Sequence, residues 1–345
     1  MFQDITVQEL QSGPQNKNHT FIDVRSPQEF QEATIPGSIN IPIFTDEERS
    51  EVGTIYKQIG KQEAEKKGLE IFSKKLPAFV ETFQQINTEK TVFCWRGGMR
   101  SKTAATVLDL MGLSVQRLTG GIRAYREWVV HTLEQMDFSP SVYVLDGFTG
   151  TGKTILLQKL QAQGYPVIDL ENMAGHHGSI FGQIGLEPSN QRTFDALLLE
   201  KLLEYREEPF VFVEGESKRI GKVLIPDVLF NKKQNGFHFL IDLPMEVRVQ
   251  TILEEYQPWE RPHEFEEAFH IIKKHIHTPV RKQLMTALTE KNYATAAELL
   301  LTHYYDPRYT HANRAFTEDQ QKRIHADSTE DALQQIIQTL NVSAS

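Results

Sequence analysis

The sequence predicts an α/β protein of two units on parallel sheets, the second extended by a helical region, and three observations carry that prediction. Short apolar runs alternate with stretches of helical periodicity over the first 138 residues. A proline-containing break at 135–141 is followed at once by a strand, a glycine-rich turn and a helix. From Met245 onward the apolar residues recur at helical spacing. The expected division is therefore 1–138, an α/β unit; 139–245, a second α/β unit; and 246–345, a helical region packed on it.

In order along the chain, Thr20–Val24 reads as a strand ending in Asp23, and Thr91–Phe93 as a strand that delivers Cys94 to its tip. Ala104, Ala105, Val107, Leu108 and Met111 give the helix 102–111, stopped at Gly112. Val142–Leu145, Pro166–Leu170, 209–214 and Phe237–Leu243 are the strands of the second unit, with a helix over Lys153–Gln163 stopped at Gly164. The tail from Ser328 reads as one short helix that frays at Ser343.

Of the 345 residues, 37 are Lys or Arg and 46 are Asp or Glu, a net charge of −9 that excludes a generally basic nucleic-acid binder. No apolar run reaches the ~18 residues of a spanning helix, and the N-terminus lacks the order of a signal peptide, so a cytoplasmic protein is expected. A single cysteine excludes an internal disulfide framework.

That cysteine sits in VFCWRGGMRS, residues 92–101. A loop between strand and helix turns backbone amides inward at a helix N-terminus, and Arg96 and Arg100 add positive charge, so an accessible, reactive thiolate at Cys94 is expected. Such a nucleophile suits sulfur or selenium transfer. The Cys-x5-Arg spacing to Arg100 also describes cysteinyl-phosphate phosphatases, but Phe93 stands where those carry histidine.

In the second unit, GFTGTGKT (147–154) lies between a strand and a helix and satisfies the pattern of a phosphate loop. Its backbone at Gly147, Thr149, Gly150 and Gly152 would cradle a diphosphate, Lys153 would neutralise it, and Thr154 would hold Mg²⁺ if one is bound. Glu214 and Glu216, at the end of FVFVEGES, are candidates for positioning metal or water. Lys218, Arg219, Lys222, Lys232 and Lys233 stand against one acid, Asp227, and form the candidate RNA-binding patch. His176 and His177 have no third ligand at close spacing, which favours a metal-free reading; His270, His275, His277, Trp259, Tyr304 and Tyr305 read as core or surface residues.

DVRSPQEF (23–30), IPGSINIP (35–42), GGIRAYR (120–126) and the cysteine loop together resemble a rhodanese domain, an implication that makes Asp23 and Arg25 loop-supporting. With ERSEVGTIYKQIG (48–60), GHHGSIFG (175–182), EGESKRIGKV (214–223) and YYDPRY (304–309), the chain resembles the bacterial tRNA 2-selenouridine synthases over essentially its full length. His177 departs from the arginine of that family's H-R-G-S-x-F-G pattern. The resemblance implies a rhodanese-like domain joined to a P-loop NTPase-like domain. It also implies replacement of sulfur by selenium in wobble 2-thiouridine of tRNA through an S-geranyl intermediate. Geranyl diphosphate and selenophosphate would be the substrates, with no tightly bound cofactor and no membrane partner. Two other classes fit the motifs: a rhodanese-fused kinase of a nucleotide or small molecule, and a non-catalytic RNA-binding regulator.

Overall fold

A computed structural model describes residues 2–12, 19–178, 182, 184–308 and 316–343. The chain divides into two compact units, Met1–Gln135 with Asp195–Leu197, and Met136–Phe194 with Leu198–Ser345. Within GHHGSIFG and YYDPRY, Ser179, Ile180, Phe181 and Tyr309 lie outside the described residues.

The first unit carries strands β1 (Gln3–Ile5), β2 (His19–Asp23), β3 (Ile39–Asn40), β4 (Glu89–Phe93) and β5 (Gln116–Leu118), in the order β1-β5-β4-β2-β3. All its pairings are parallel. Its helices are α1 (Val7–Ser12), α2 (Pro27–Glu32), α3 (Asp46–Gln58), α4 (Lys61–Gln84), α5 (Met99–Leu110) and α6 (Gly121–Gln135). Capping boxes start α2 (Ser26 with Glu29) and α3 (Thr45 with Glu48), each satisfying orphan amides of the first turn. α4 buries Ile71, Phe72, Phe79, Val80 and Phe83 at helical spacing against Ile22, Val92 and Leu108.

In the second unit β6 (Ser141–Gly147) is followed by α7 (Lys153–Ala162), β7 (Val167–Ile168), α8 (Leu170–Ala174), α9 (Gln191–Glu204) and β8 (Phe210–Glu214). Then come the small hairpin β9 (Arg219–Ile220) and β10 (Val223–Leu224), α10 (Asp227–Gln234) and β11 (Phe237–Asp242). Helices α11 (Met245–Tyr256), α12 (Pro262–Ile272), α13 (Thr278–Thr289) and α14 (Tyr293–Leu300) lead to the last strand, β12 (Gln321–His325), and α15 (Thr329–Ser343). The sheet order β12-β11-β6-β8-β7 is wholly parallel. It puts β6 at the centre, with the chain leaving to β8 on one side and β11 on the other, the point where an open parallel sheet forms its crevice.

Two expectations fail here. The region after Met245 is not wholly helical: β12 pairs with β11 over five residues. Its signal is weak because only Ile324 is buried, while Lys322, Arg323 and His325 are exposed. The helix expected from Ser328 is not short either, since α15 runs fifteen residues and buries Ala332, Leu333, Ile336 and Leu340 against α7 and the sheet. Phe212 is fully buried beside Tyr143 and Phe239 in the same layer. Phe212→Ala is expected to destabilise this unit by about 3–5 kcal/mol, read by chemical denaturation, through lost burial and the cavity left behind.

Candidate functional site

The thiol loop begins where β4 ends. Cys94 is 3% exposed, and its Sγ lies 3.2 Å from the Ser101 hydroxyl in the first turn of α5. The expectation of an accessible thiol is therefore corrected: the side chain packs in the apolar cluster with Ile22, Val24, Ala104 and Ala105, and the start of α6 is tied to the loop's backbone. Ile122 N donates to Cys94 O at 3.0 Å and Arg123 N to Trp95 O at 3.1 Å. A Cβ at Gly121 would lie 2.1 Å from Cys94 O, which explains why the glycine pair of GGIRAYR accompanies the cysteine loop.

The two nominated arginines part company. Arg96 is exposed, whereas Arg100 is held by Glu29, with its Nη2 3.1 Å from Oε1 and its Nη1 bonded to Oε2. Burial pushes the Glu29 carboxyl up, but Arg100 and the Ser26 amide outweigh it and hold it below the ordinary range. Sequence reading missed Arg117 on β5. It is clamped by Asp4 and donates to Gly97 O at 3.0 Å. Its ionisation is held up chiefly by Asp4, with a smaller contribution from Cys94. Asp23 and Arg25, both buried, are joined through three side-chain hydrogen bonds of 2.6–3.0 Å, and Arg25 also donates to Ala33 O. They brace the loops around β2.

The phosphate loop follows β6. Gly150 and Gly152 take φ of 81° and 69°, left-handed values that a side chain would strain. Lys153 Nζ lies 3.3 Å and 3.4 Å from the carbonyls of Gly147 and Phe148. Thr154 Oγ1 donates to Glu171 Oε2 at 3.1 Å. Glu171, on α8, is the acidic partner that sequence reading missed, because that short helix carried no motif.

Of the two nominated acids, only Glu216 lines the phosphate cavity. It converges with Glu171 on Gly178, where a Cβ would sit 2.6 Å from an oxygen of each. Burial, then the Glu171 charge, raises the Glu216 pKa to about 7. Glu214 is fully buried and accepts from the Leu170 amide at 2.9 Å, holding the start of α8. Burial, then the charges of Asp169 and Glu171, push its carboxyl well above the ordinary range.

The adjacent histidines diverge. His176 is buried, with Nδ1 accepting from Gly178 N at 3.1 Å, and burial lowers its pKa. His177 lies 3.2 Å from Glu255 and 3.8 Å from Glu171, and these carboxylates, Glu171 first, raise its pKa against its burial. Ligand atoms of Glu171, His177 and Glu255 fall within 4.8 Å of one another, so the sequence argument that His177 lacks further ligands does not hold.

The loop is braced from behind by Arg248 on α11, another residue that carried no sequence signal. Its Nε donates to Thr149 O at 3.0 Å, and it forms a two-bonded pair with Asp306 of YYDPRY at 3.0 Å and 2.6 Å. Tyr304 and Tyr305 are buried, Trp259 and His277 are exposed, and His270 contacts Lys273. Nothing is described of the side chain of His275.

The five basic residues do not all share one face, although Lys218 and Lys233 both lie over the Phe230 ring. Lys233 is buried and donates to Glu216 O; Lys218 pairs with Asp227. Lys232 reaches Ser139 O at 3.4 Å, before β6, while Arg219 and Lys222 are exposed on the β9–β10 hairpin. A charge run on the sequence thus scatters over a hairpin and two sides of α10.

Comparison with known proteins gives two family matches: the tRNA 2-selenouridine synthase AAA domain over residues 140–270 and the rhodanese-like domain over residues 6–128. The tRNA 2-selenouridine synthase of Hydrogenovibrio crunogenus is 33% identical over 324 residues, covering 85% of this chain and 89% of that protein. The chain belongs to the tRNA 2-selenouridine synthase family. The Nitrosomonas europaea member is 36% identical over 244 residues, covering 68% of this chain. The Bdellovibrio bacteriovorus member is 34% identical over 250 residues, covering 70%. The chain spans about 63–65% of the length of those two relatives.

A carboxyl whose pKa is near 7 folded, against 4.5 unfolded, keeps a proton that the unfolded chain releases. Its stabilising contribution is whole below the unfolded value and is lost as pH rises through the folded one. In metal-free protein, Glu216→Gln is therefore expected to flatten the fall in unfolding free energy between about pH 4.5 and 7. Equal slopes for variant and wild type contradict the assignment.

Proposed function

We propose that the protein is a cytoplasmic tRNA-modifying transferase that replaces sulfur by selenium in wobble 2-thiouridine through S-geranyl-2-thiouridine, using geranyl diphosphate and selenophosphate. Family membership supports the tRNA and selenouridine part of this reading. No helix among the described residues is long and apolar enough to cross a membrane. The observation that carries the geranyl part is the wall between two cavities. The phosphate cavity, with Lys153, Thr154, Glu171 and Glu216, shares Thr149, Ile252 and Tyr256 with an apolar slot enclosed by Phe265, Phe269, Leu288 and Leu301. A polar cradle opening beside a slot lined mainly by Ile252, Leu253, Phe265, Phe269, Leu288 and Leu301 suits a diphosphate with an apolar tail better than one with a nucleotide sugar. The slot is narrow, about 50 Å³, so a ten-carbon chain enters only as its side chains move apart.

In the first step the thiocarbonyl sulfur attacks C1 of the geranyl group and the C–O bond breaks toward diphosphate. Loop amides and Lys153 stabilise the negative charge that develops on the leaving group. Thr154 and Glu171 present the hard oxygen donors that Mg²⁺ takes, and the ion would supply further charge neutralisation to the diphosphate. Alkylation turns the sulfur into a better leaving group: the selenium of selenophosphate attacks C2, the C2–S bond breaks to release geranylthiol, and water then takes the phosphoryl group from selenium as phosphate, with Cys94 in the loop that positions the selenium donor. Because Cys94 is enclosed, selenium reaches it only as the loop opens.

Lys153→Ala is expected to slow geranyl transfer by about 10² or more, the scale of losing one preorganised charge on an oxyanion. Cys94→Ser is expected to abolish selenium incorporation and leave geranylation intact. Both are read by mass spectrometry of nucleosides after incubation with 2-thiouridine tRNA, geranyl diphosphate and selenophosphate. ATP turnover without RNA modification would favour the kinase reading instead.

A further inference from the structure

On the other side of Glu216 and Gly178 from the phosphate cavity lies a larger one, of about 660 Å³, that neither family motif explains. Its floor is the open face of the sheet, where Val144 and Asp146 of β6 stand beside His238 and Leu240 of β11. These residues point away from the face that buries Leu145, Phe239 and Ile241.

Two polar atoms of this cavity's lining are buried without a hydrogen-bond partner: Nε2 of His238 and Oε1 of Gln234. His238 is 4% exposed. Its Nδ1 is bonded to Asp146 Oδ2, and Phe316 stacks on its ring with centroids 3.9 Å apart. A carboxylate on Nδ1 fixes the tautomer that leaves a lone pair on Nε2, the arrangement that makes histidine a proton acceptor. The glycine of the EGES motif serves this pair. A Cβ on Gly215 would lie 1.7 Å from Asp146 Oδ1, so the carboxylate can stand beside the ring only if residue 215 has no side chain.

The rest of the lining has the chemistry of a nucleotide site. Phe148, Phe230 and Phe316 alternate with Lys218, Arg308 and Arg323, rings for a base to stack on and cations for its phosphates. The cavity therefore collects on one surface two members of the basic run, Lys218 and Lys233, with Arg308, Arg323 and the aromatic rings.

We propose that this cavity receives the thiolated base of the RNA and that His238, oriented by Asp146, accepts the proton from N3 of that base as its sulfur is alkylated. The inference rests on the geranyl-transfer reading above. The sulfur gives an electron pair to C1 of the prenyl group, and the C1–O bond pair leaves with diphosphate. The N3–H pair becomes the C2=N3 double bond, and the proton goes to Nε2 and thence to water on product release. Nothing is oxidised or reduced. His238 is the catalytic residue, and Asp146 is a positioning residue.

The test is single-turnover geranyl transfer from geranyl diphosphate to a 2-thiouridine anticodon stem-loop by full-length wild type, His238→Gln and Asp146→Asn, with direct binding of both substrates. His238→Gln is expected to lower the rate constant about 10²-fold, the scale of general-base catalysis, while binding changes by no more than about twofold. Asp146→Asn is expected to lose less. The His238→Gln deficit should shrink as pH rises past the ionisation of the thiouracil itself, which then needs no base. Besides Asp146, the charged groups around the ring are Glu216, Lys218, Lys233, Asp242, Arg308 and Arg323, and all are intact in the variant. Wild-type rates in His238→Gln, or a pH-independent deficit with weakened RNA binding, overturn the proposal and leave Nε2 as the partner of a structural water. If His238→Gln does not fold, Asp146→Asn carries the same pH test with the same outcomes. A wild type that binds RNA but transfers no geranyl group overturns the geranyl reading, and this inference with it.

Discussion

The guanidinium of Arg248 is the contact on which the phosphate site depends. It is 5% exposed, stands over the Phe148 ring at 5.2 Å, and joins the Thr149 carbonyl of the loop to Asp306 beyond α14. A buried, doubly hydrogen-bonded pair of this kind is geometrically demanding, and removing either partner leaves an uncompensated charge. Through it, the helices that enclose the apolar slot are fixed to the loop that would hold the diphosphate. The phosphate loop and the apolar slot thus share one anchor.

Around that anchor the electrostatics are arranged by burial. Glu171, Glu214 and Glu216 lie close enough to perturb one another, and the protein resolves their repulsion unevenly. Glu171 is held charged by His177 and Lys153 against its burial. Glu214 beneath α8 is pushed well above the ordinary carboxylate range, and Glu216 is raised to about 7. The carboxylate cluster beside the loop therefore responds to pH near neutrality.

Much of this was legible in the sequence, because parallel sheets announce themselves. Apolar runs such as FVFVE are buried on both faces, and strand-ending Asp23 and Cys94 and the turn GFTGTGKT mark carboxyl-terminal strand ends. The two loops and the order of units followed directly. What stayed hidden depends on long-range contacts. β12 is an edge strand with one buried side chain, so no alternation betrays it. Glu171, Arg117 and Arg248 are single charged residues whose partners lie far away in the chain. The basic run 218–233 misled for the complementary reason: neighbours in sequence were divided among a hairpin, a buried position and the far side of α10. The motifs EGES and YYDPRY were visible as patterns, but their purposes appear only as space for Asp146 and a partner for Arg248.

The central claim is that one loop holds a diphosphate whose tail is a hydrocarbon. Isothermal titration of the full-length protein, with Mg²⁺ present, by geranyl diphosphate, inorganic diphosphate and ATP addresses it most directly. The account predicts that geranyl diphosphate binds at least about tenfold more tightly than inorganic diphosphate, with the negative heat-capacity change of buried apolar surface. It predicts that ATP gains no such advantage. Binding of ATP in preference to geranyl diphosphate, or equal binding of geranyl and inorganic diphosphate, would contradict it.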